Sequence, residues 1–176
     1  ESLDELCSLA ELDAIDVVTT EDAHVKPALK AFAEGKHVFV EKPMAVSPGD
    51  CALMIQAAQT AGRFLMPGHI LRFETKYALL KEATTGNRLG RIVRYQRTHP
   101  ALENCIHDID LMLWYTGQRV RRVRGYQRNA TGVRHADTFW GILEFENDAI
   151  GVVETIWLLP KEAGVGLDDA FHLVGT

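Results

Sequence analysis

Lys42 is the residue of this sequence whose type and position most favour chemistry. It follows three consecutive apolar residues, 38–40, in the segment His37-Val-Phe-Val-Glu-Lys-Pro43. The apolar run indicates a buried strand, and Pro43 marks its end because proline has no backbone N–H to donate. Since ligands of open α/β sheets bind at the carboxyl ends of the strands, an amine there could donate or accept a proton. The alternative is a lysine that caps the strand and pairs with Glu41.

His107 is the second candidate for proton transfer, because histidine is the side chain that most readily exchanges protons near neutral pH. It lies in Ile106-His-Asp-Ile-Asp-Leu-Met-Leu-Trp114, where the pattern predicts a helix over residues 108–115. Asp108 and Asp110 would then lie in the first turn, where carboxylates interact favourably with the helix dipole. An ordinary polar helix start is therefore the alternative.

Glu103 precedes His107 by four residues, a spacing that would put both side chains on one face of a continuous helix. The carboxylate could then orient the imidazole. Two ligands are too few for a metal site, and the sequence contains no H-E-x-x-H or similar cluster. We therefore expect no metal.

Polar residues near other predicted strand ends are candidates for ligand binding. Thr19, Thr20 and His24 follow the first predicted strand, where hydroxyls and a helix N-terminus suit a phosphate or the polar edge of a cofactor. Capping of the strand end is the equal alternative. Arg72, in Gly68-His-Ile-Leu-Arg-Phe73, could hold an oxyanion or form an ion pair between two domains. No G-x-G-x-x-G occurs, so these residues alone do not establish dinucleotide binding.

The elements that must position these residues change character near residue 70. Before it, strands and helices alternate, with strands predicted at 13–20, 38–40 and 63–68 and helices at 25–33 and 48–61. Strand–helix–strand units of this length make parallel sheets. After it, the pattern predicts a helix at 77–84, a strand at 91–98 and a long hairpin over 139–157. We expect two domains, residues 1–70 and 71–176, with the substrate at their interface.

Composition and charge exclude several classes of protein. With 47% hydrophobic and 24% charged residues, the chain is globular rather than disordered. No apolar run approaches the roughly 20 residues that span a bilayer, so we expect no membrane partner. Three cysteines, far apart and without C-x-x-C spacing, favour reduced thiols and a cytoplasmic location. Residues 88–134 carry ten arginines against three acids. Without aromatic stacking residues, this pattern favours a solvated strand or a subunit contact over nucleic-acid binding.

Taken in order, the motifs resemble the glucose–fructose oxidoreductase / inositol dehydrogenase family, also called Gfo/Idh/MocA. The matching segments span nearly the whole chain: Asp16-Val-Val-Thr-Thr20 with His24, Gly35-Lys-His-Val-Phe-Val-Glu-Lys-Pro43, Gly68-His-Ile-Leu-Arg-Phe73, His107-Asp-Ile-Asp110, Phe145-Glu-Asn-Asp-Ala-Ile-Gly151 and Glu154-Thr-Ile-Trp157. The resemblance implies part of an α/β Rossmann-type domain, followed by an α+β domain with a large open, mostly antiparallel sheet. Homo-dimers or homo-tetramers commonly form through that sheet.

The resemblance also implies an oxidoreductase that uses NAD or NADP and acts on a sugar, a cyclitol or a related polyol. By the same resemblance, Lys42 lies beside the nicotinamide and the substrate hydroxyl, and His107 is the proton acceptor in alcohol oxidation. The residues that would line the cofactor are Thr19, Thr20, His24, Glu41 and Pro43. Arg72 and Asp110 would face the cofactor or the substrate.

The chain departs from the family pattern at three places. The Gly-rich first strand and turn are absent, which predicts that these residues are a piece of a longer protein. Glu103 stands where the family has an aspartate, and the link at residues 100–103 is shorter than usual. The alternative function is a non-catalytic dinucleotide-binding regulator or scaffold of the same fold. Retention of both Lys42 and His107 argues against that alternative.

Overall fold

The computed structural model of the chain describes residues 2–86, 88–99, 105–130, 132, 137–156 and 170–176. These residues form an N-terminal unit (Glu1–His69) and a C-terminal unit (Ile70–Thr176). Each unit has its own sheet and its own hydrophobic core. Within the described segments, no helix combines the length and the apolar character that crossing a membrane requires.

A three-stranded parallel sheet with the order β1-β2-β3 forms the centre of the N-terminal unit. Its elements are α1 (Leu3–Ser8), β1 (Ala14–Val17), a 3₁₀ helix (Glu21–Ala23), α2 (Val25–Ala33), β2 (His37–Val40), α3 (Pro48–Ala61) and β3 (Leu65–Pro67). Val17 pairs with Val40 and Val40 with Pro67, so the three strands end at one edge of the sheet. The predicted parallel α/β arrangement is confirmed.

The core of this unit follows from strand alternation and from the helix ends. Alternate residues of β1 and β2 pack with apolar residues of the helices in one buried cluster: Ile15, Val17, Val38, Val40, Ala28, Ala31, Phe32, Met54 and Ala58. Helix α3 has the predicted bounds. Ser47 Oγ accepts a hydrogen bond from the Asp50 N–H at 3.1 Å at its start, and Gly62, with a φ of 63°, ends it. Strand β1 is shorter than the predicted 13–20, so Thr19 and Thr20 lie in the following loop.

A five-stranded sheet with the order β5-β6-β7-β4-β8 forms the C-terminal unit. Its elements are a 3₁₀ helix (Ile70–Phe73), α4 (Thr75–Thr85), β4 (Ile92–His99), α5 (Cys105–Thr116), β5 (Val120–Arg128), β6 (Thr138–Phe145), β7 (Ile150–Ile156) and β8 (Ala170–Gly175). Strands β4 and β7 pair in parallel, whereas the β5–β6, β6–β7 and β4–β8 pairs are antiparallel. The predicted α+β domain with a mostly antiparallel sheet is confirmed.

The two faces of this larger sheet differ in burial. Leu143 and Phe145 of β6 and Val153 of β7 share one buried cluster with Leu111 and Met112 of α5. Residues that alternate with them point to the opposite face and keep larger exposed fractions. Every residue of β5 after Val120 is exposed. The arginines of this strand are therefore exposed in the single chain, as both predicted alternatives, a solvated strand and a subunit contact, require.

Candidate functional site

The loop after β1 and the turn after β2 are neighbours, because the two strands are parallel and their last residues, Val17 and Val40, are paired. Thr19 and Thr20 are exposed in the first of these segments. The Thr20 hydroxyl donates a hydrogen bond to Asp22 Oδ1 at 2.7 Å. The two hydroxyls thus lie at the edge of the sheet where ligands of parallel α/β folds bind.

Lys42 lies in the turn after β2, directly after Glu41, and both residues are half-buried. The Glu41 N–H donates to the Val17 carbonyl oxygen at 2.9 Å, which continues the ladder beyond the last residue of β2. The Lys42 backbone N–H donates to Glu41 Oε2 at 2.9 Å. This contact between the two residues is made by the backbone, whereas the capping alternative placed it on the lysine ammonium. The Lys42–Pro43 peptide bond is cis.

His24, at the start of α2, is buried with 1% of its surface exposed. Its Nε2 lies 3.0 Å from the carbonyl oxygen of Thr19. Its Nδ1 lies 3.1 Å from the carbonyl oxygen of Pro43 and 3.3 Å from that of Met44. The family resemblance predicts a cofactor-lining residue here. The observed contacts direct both ring nitrogens to the protein backbone.

These two segments fit one part of a nicotinamide dinucleotide. The exposed hydroxyl oxygens of Thr19 and Thr20 offer hydrogen-bond acceptors at a parallel sheet edge, and the amine of half-buried Lys42 offers donors. The phosphate-binding turn G-x-G-x-x-G does not occur in the sequence. The residues present therefore fit the nicotinamide ring of the cofactor rather than its pyrophosphate.

Helix α5 carries His107 and begins by Cys105, earlier than the predicted start at residue 108. His107 is 9% exposed and Asp108 is fully buried. The earlier start places Asp110 beyond the first turn of the helix. The favourable interaction with the helix dipole falls off within that turn, so it does not account for Asp110.

The beginning of α5 is attached to the sheet through Cys105. Its Sγ lies 2.8 Å from Thr155 Oγ1 of β7, and both residues are buried. Burial raises the pKa of the Cys105 thiol, which keeps the sulfur protonated and unreactive. Cys7 is buried and Cys51 is half-buried, and all three cysteines are free thiols, as the sequence predicts.

Arg72 and Asp110, both predicted to face cofactor or substrate, bind each other. Arg72 Nε donates to Asp110 Oδ2 at 2.8 Å and Arg72 Nη2 donates to Asp110 Oδ1 at 2.5 Å. This two-pronged geometry is the strongest form of a guanidinium–carboxylate contact. Both residues belong to the C-terminal unit, so the ion pair does not join two domains.

Two further side chains, Trp114 and Lys81, lie beside the Arg72–Asp110 pair, and the sequence pattern did not single them out. Arg72 Cζ and Lys81 Nζ each lie 5.6 Å from the centre of the Trp114 ring, within cation–π distance. Lys81 Nζ also donates to the Trp114 carbonyl oxygen at 2.5 Å. Burial, followed by repulsion from Arg72, lowers the pKa of Lys81. Trp114 follows Asp110 by four residues, and this spacing is the signal that places both on one helix face.

Glu103, the predicted partner of His107, lies outside the described residues, and so does the link at residues 100–103. Its role stays a prediction. In the part of the chain that the structure describes, no group of three or more His, Cys, Asp or Glu side chains is placed to hold a metal ion.

Two family models match the chain, one in each unit. The first, described as an oxidoreductase family with an NAD-binding Rossmann fold, matches residues 1–69. The second, the GFO/IDH/MocA C-terminal domain, matches residues 93–176. Inositol 2-dehydrogenase 2 from Saccharopolyspora erythraea is 30% identical over 183 residues, which cover 94% of this chain and 53% of that relative. The chain therefore spans about half the length of this curated relative.

Solved structures share the fold. A probable dehydrogenase from Thermotoga maritima matches with a TM-score of 0.88 at 24% identity, over 100% of this chain and 58% of the other. The scyllo-inositol dehydrogenase from Lactobacillus casei, solved with NAD(H) and scyllo-inositol, matches with a TM-score of 0.84 at 20% identity, with the same coverage. Both family models belong to one family, GFO/IDH/MocA, and together they match residues 1–69 and 93–176. The chain therefore belongs to the GFO/IDH/MocA family of oxidoreductases.

Proposed function

We propose that the chain is part of an NAD- or NADP-dependent dehydrogenase that acts on a hydroxyl carbon of a sugar, a cyclitol or a related polyol. The observation that supports the proposal is that each unit has a side chain able to transfer a proton at its candidate site, half-buried Lys42 after β2 and buried His107 in α5. Two relatives named above are, by their names, dehydrogenases of cyclitols. A scaffold without activity needs neither side chain.

Oxidation of an alcohol removes a proton from its oxygen and a hydride from its carbon. When bound, NAD or NADP supplies the acceptor of the hydride. In this proposal His107 accepts the hydroxyl proton as a general base, and Lys42 donates a hydrogen bond to the oxygen as negative charge develops on it. The O–H and C–H bonds break and a carbonyl forms. His107 is 9% exposed, which limits competition from bulk water for its ring.

The remaining predicted site residues have supporting roles in this proposal. Cofactor contacts are assigned to Thr19, Thr20, Glu41 and Pro43, which belong to the two neighbouring segments at the sheet edge. Glu103 orients His107. Arg72 and Asp110 are assigned to the substrate, and 38% of the Arg72 side chain is exposed while it binds Asp110.

The test is an assay of the full-length protein with NAD or NADP and a panel of inositols, sugars and other polyols, followed by the absorbance of the reduced cofactor. We expect turnover of at least one cyclitol or sugar. Lys42→Ala and His107→Ala should each lower kcat about 100-fold or more, which is the usual contribution of a general acid or base.

Two residues outside the proposed site and the proposed subunit contact provide matched controls for these variants. Lys26→Ala, at an exposed position, and His37→Gln, at the beginning of β2, remove the same side-chain types and should keep wild-type activity. Circular dichroism should show the same folded content in all four variants. Near-wild-type turnover in Lys42→Ala or His107→Ala would refute the site assignment, and no turnover of the whole panel would refute the dehydrogenase.

A further inference from the structure

His24 is a buried titratable residue that the proposed chemistry does not use. Its ring nitrogens face the carbonyl oxygens of Thr19 on one side and of Pro43 and Met44 on the other. Carbonyl oxygens only accept hydrogen bonds, and a neutral imidazole donates from one nitrogen only. With oxygens 3.0 Å from Nε2 and 3.1 Å from Nδ1, both contacts are hydrogen bonds only when both nitrogens carry a hydrogen.

His37, at the beginning of β2, has the opposite arrangement. Its Nδ1 accepts a hydrogen bond from the Phe64 N–H at 2.9 Å, and the two rings stack with their centres 5.1 Å apart. This contact lies at the opposite end of β2 from Lys42. His37 is therefore a second histidine of the N-terminal unit that serves as an internal control.

The backbone that His24 contacts is the backbone that carries Lys42. On one side of Lys42, the Glu41 N–H is bonded to the Val17 carbonyl oxygen. On its other side, the Pro43 carbonyl oxygen lies against the His24 ring. Lys42 is therefore held between two attached points. At the second, Met44 and Ala45 pack against the core, and His24 supplies the side-chain contact to the backbone from outside the turn.

We propose that His24 is a positioning residue whose ring contacts clamp the loop after β1 to the turn after β2 and thereby fix the backbone that presents Lys42. The three carbonyl oxygens around the ring offset part of the cost of burying its polar nitrogens. His24 acts through the turn and contacts neither cofactor nor substrate. The inference rests on the proposed function only because Lys42 is the residue that is positioned.

The clamp is tested without turnover by hydrogen exchange. His24→Phe keeps a ring but removes both ring nitrogens. In this variant amide exchange should increase in residues 41–45 while residues 48–61 of α3 keep their protection, because the loss is local. Unchanged exchange in residues 41–45 would overturn the clamp.

Two conservative variants keep the test decisive if His24→Phe does not fold. His24→Asn keeps a donor near the position of Nδ1, towards Pro43, and His24→Gln keeps one near Nε2, towards Thr19. We expect amide exchange in residues 41–45 to be slower in the asparagine variant than in the glutamine variant. The reverse order would contradict the argument that the Pro43 side of the clamp holds Lys42.

Activity separates positioning from cofactor contact. In the full-length enzyme, His24→Phe should lower kcat about 10- to 100-fold, since small displacements of a reacting group are costly, and leave the dissociation constant of NAD(H) little changed. Substitution of a residue that lines the cofactor would instead raise the dissociation constant of NAD(H) and leave kcat little changed. His37→Gln, at the other end of β2, should change neither. If the wild-type protein has no dehydrogenase activity, the proposed function fails, while the exchange rates still decide the clamp.

Discussion

At the scale of single residues, the Arg72–Asp110 pair has partners of unequal burial. Asp110 is 9% exposed and Arg72 is 38% exposed. Arg72→Met deprives a buried carboxylate of its guanidinium, whereas Asp110→Asn leaves a guanidinium that reaches water. We therefore expect the free energy of unfolding to fall by about 2–4 kcal/mol in Arg72→Met and by about 1–2 kcal/mol in Asp110→Asn. Urea unfolding of the two variants measures both values.

An exposed ion pair in the same unit serves as the control. Lys76 Nζ lies 3.5 Å from Glu74 Oε2, and the two side chains are 66% and 45% exposed. Lys76→Met should cost less than about 1 kcal/mol, because solvent screens exposed pairs. If Lys76→Met and Arg72→Met lowered the free energy of unfolding equally, this would contradict a stabilising role for Arg72 as the partner of buried Asp110.

Lys81 makes stability depend on pH in a defined direction. Burial, followed by the charge of Arg72, lowers its pKa below 10.5 in the folded protein. The unfolded chain then binds the proton more tightly, so the folded state gains stability as pH rises from the lowered pKa towards 10.5. The free energy of unfolding of the wild type, minus that of Lys81→Met, should increase over this interval. If this difference decreased or stayed constant, a lowered pKa of Lys81 in the folded protein would be excluded.

At the scale of elements, the close approach of α5 to β7 leaves little room for a side chain at Gly151 of β7. A Cβ atom at Gly151 would lie 2.9 Å from Met112 Sδ and 3.1 Å from a ring carbon of Phe145, both of them buried residues. Gly151→Ala should therefore lower the free energy of unfolding by about 1–3 kcal/mol. Because Met112 belongs to the helix of His107, we also expect lower kcat in the full-length enzyme.

Gly125→Ala on β5 is the matched control for Gly151→Ala. A Cβ atom there would meet a ring carbon of Phe139 at 3.7 Å, an ordinary contact. Its effect on the free energy of unfolding should stay within about 0.5 kcal/mol. Similar losses in both variants would point to the strand backbone rather than to helix packing as the cause.

At the scale of the whole molecule, the face of the larger sheet opposite α5 is our proposed contact between copies of the chain. Trp140, Ile150 and Val174 lie on this face and are 43–46% exposed. Trp140→Glu and Ile150→Glu should convert a dimer or tetramer into smaller species in light scattering, because each places a charge in an apolar contact. Leu79→Glu on α4 is the control, since Leu79 is 58% exposed on a different element. A monomeric wild-type protein would refute the proposal.

The sequence predicted well what depends on neighbouring residues. The bounds of α3 follow from Ser47 and Gly62, and the hairpin of β6 and β7 follows from alternating apolar residues around a turn at Asn147-Asp148. The start of α5 was predicted at least three residues too late, because Asp108 and Asp110 were interpreted as the first turn, although Asn104, a residue type favoured at N-caps, directly precedes Cys105 in the sequence. The prediction of an α/β domain followed by a mostly antiparallel sheet needed only the order of such elements.

By itself, the sequence determined the order of the elements, the family and the candidate residues Lys42 and His107, because periodicity and motifs are local properties of a chain. Only the tertiary structure decided that Arg72 binds an aspartate 38 residues away, and that His24 faces carbonyl oxygens up to 20 residues away. Such contacts depend on how packed helices and strands bring distant side chains together. The spacing of residues along the chain does not predict that packing.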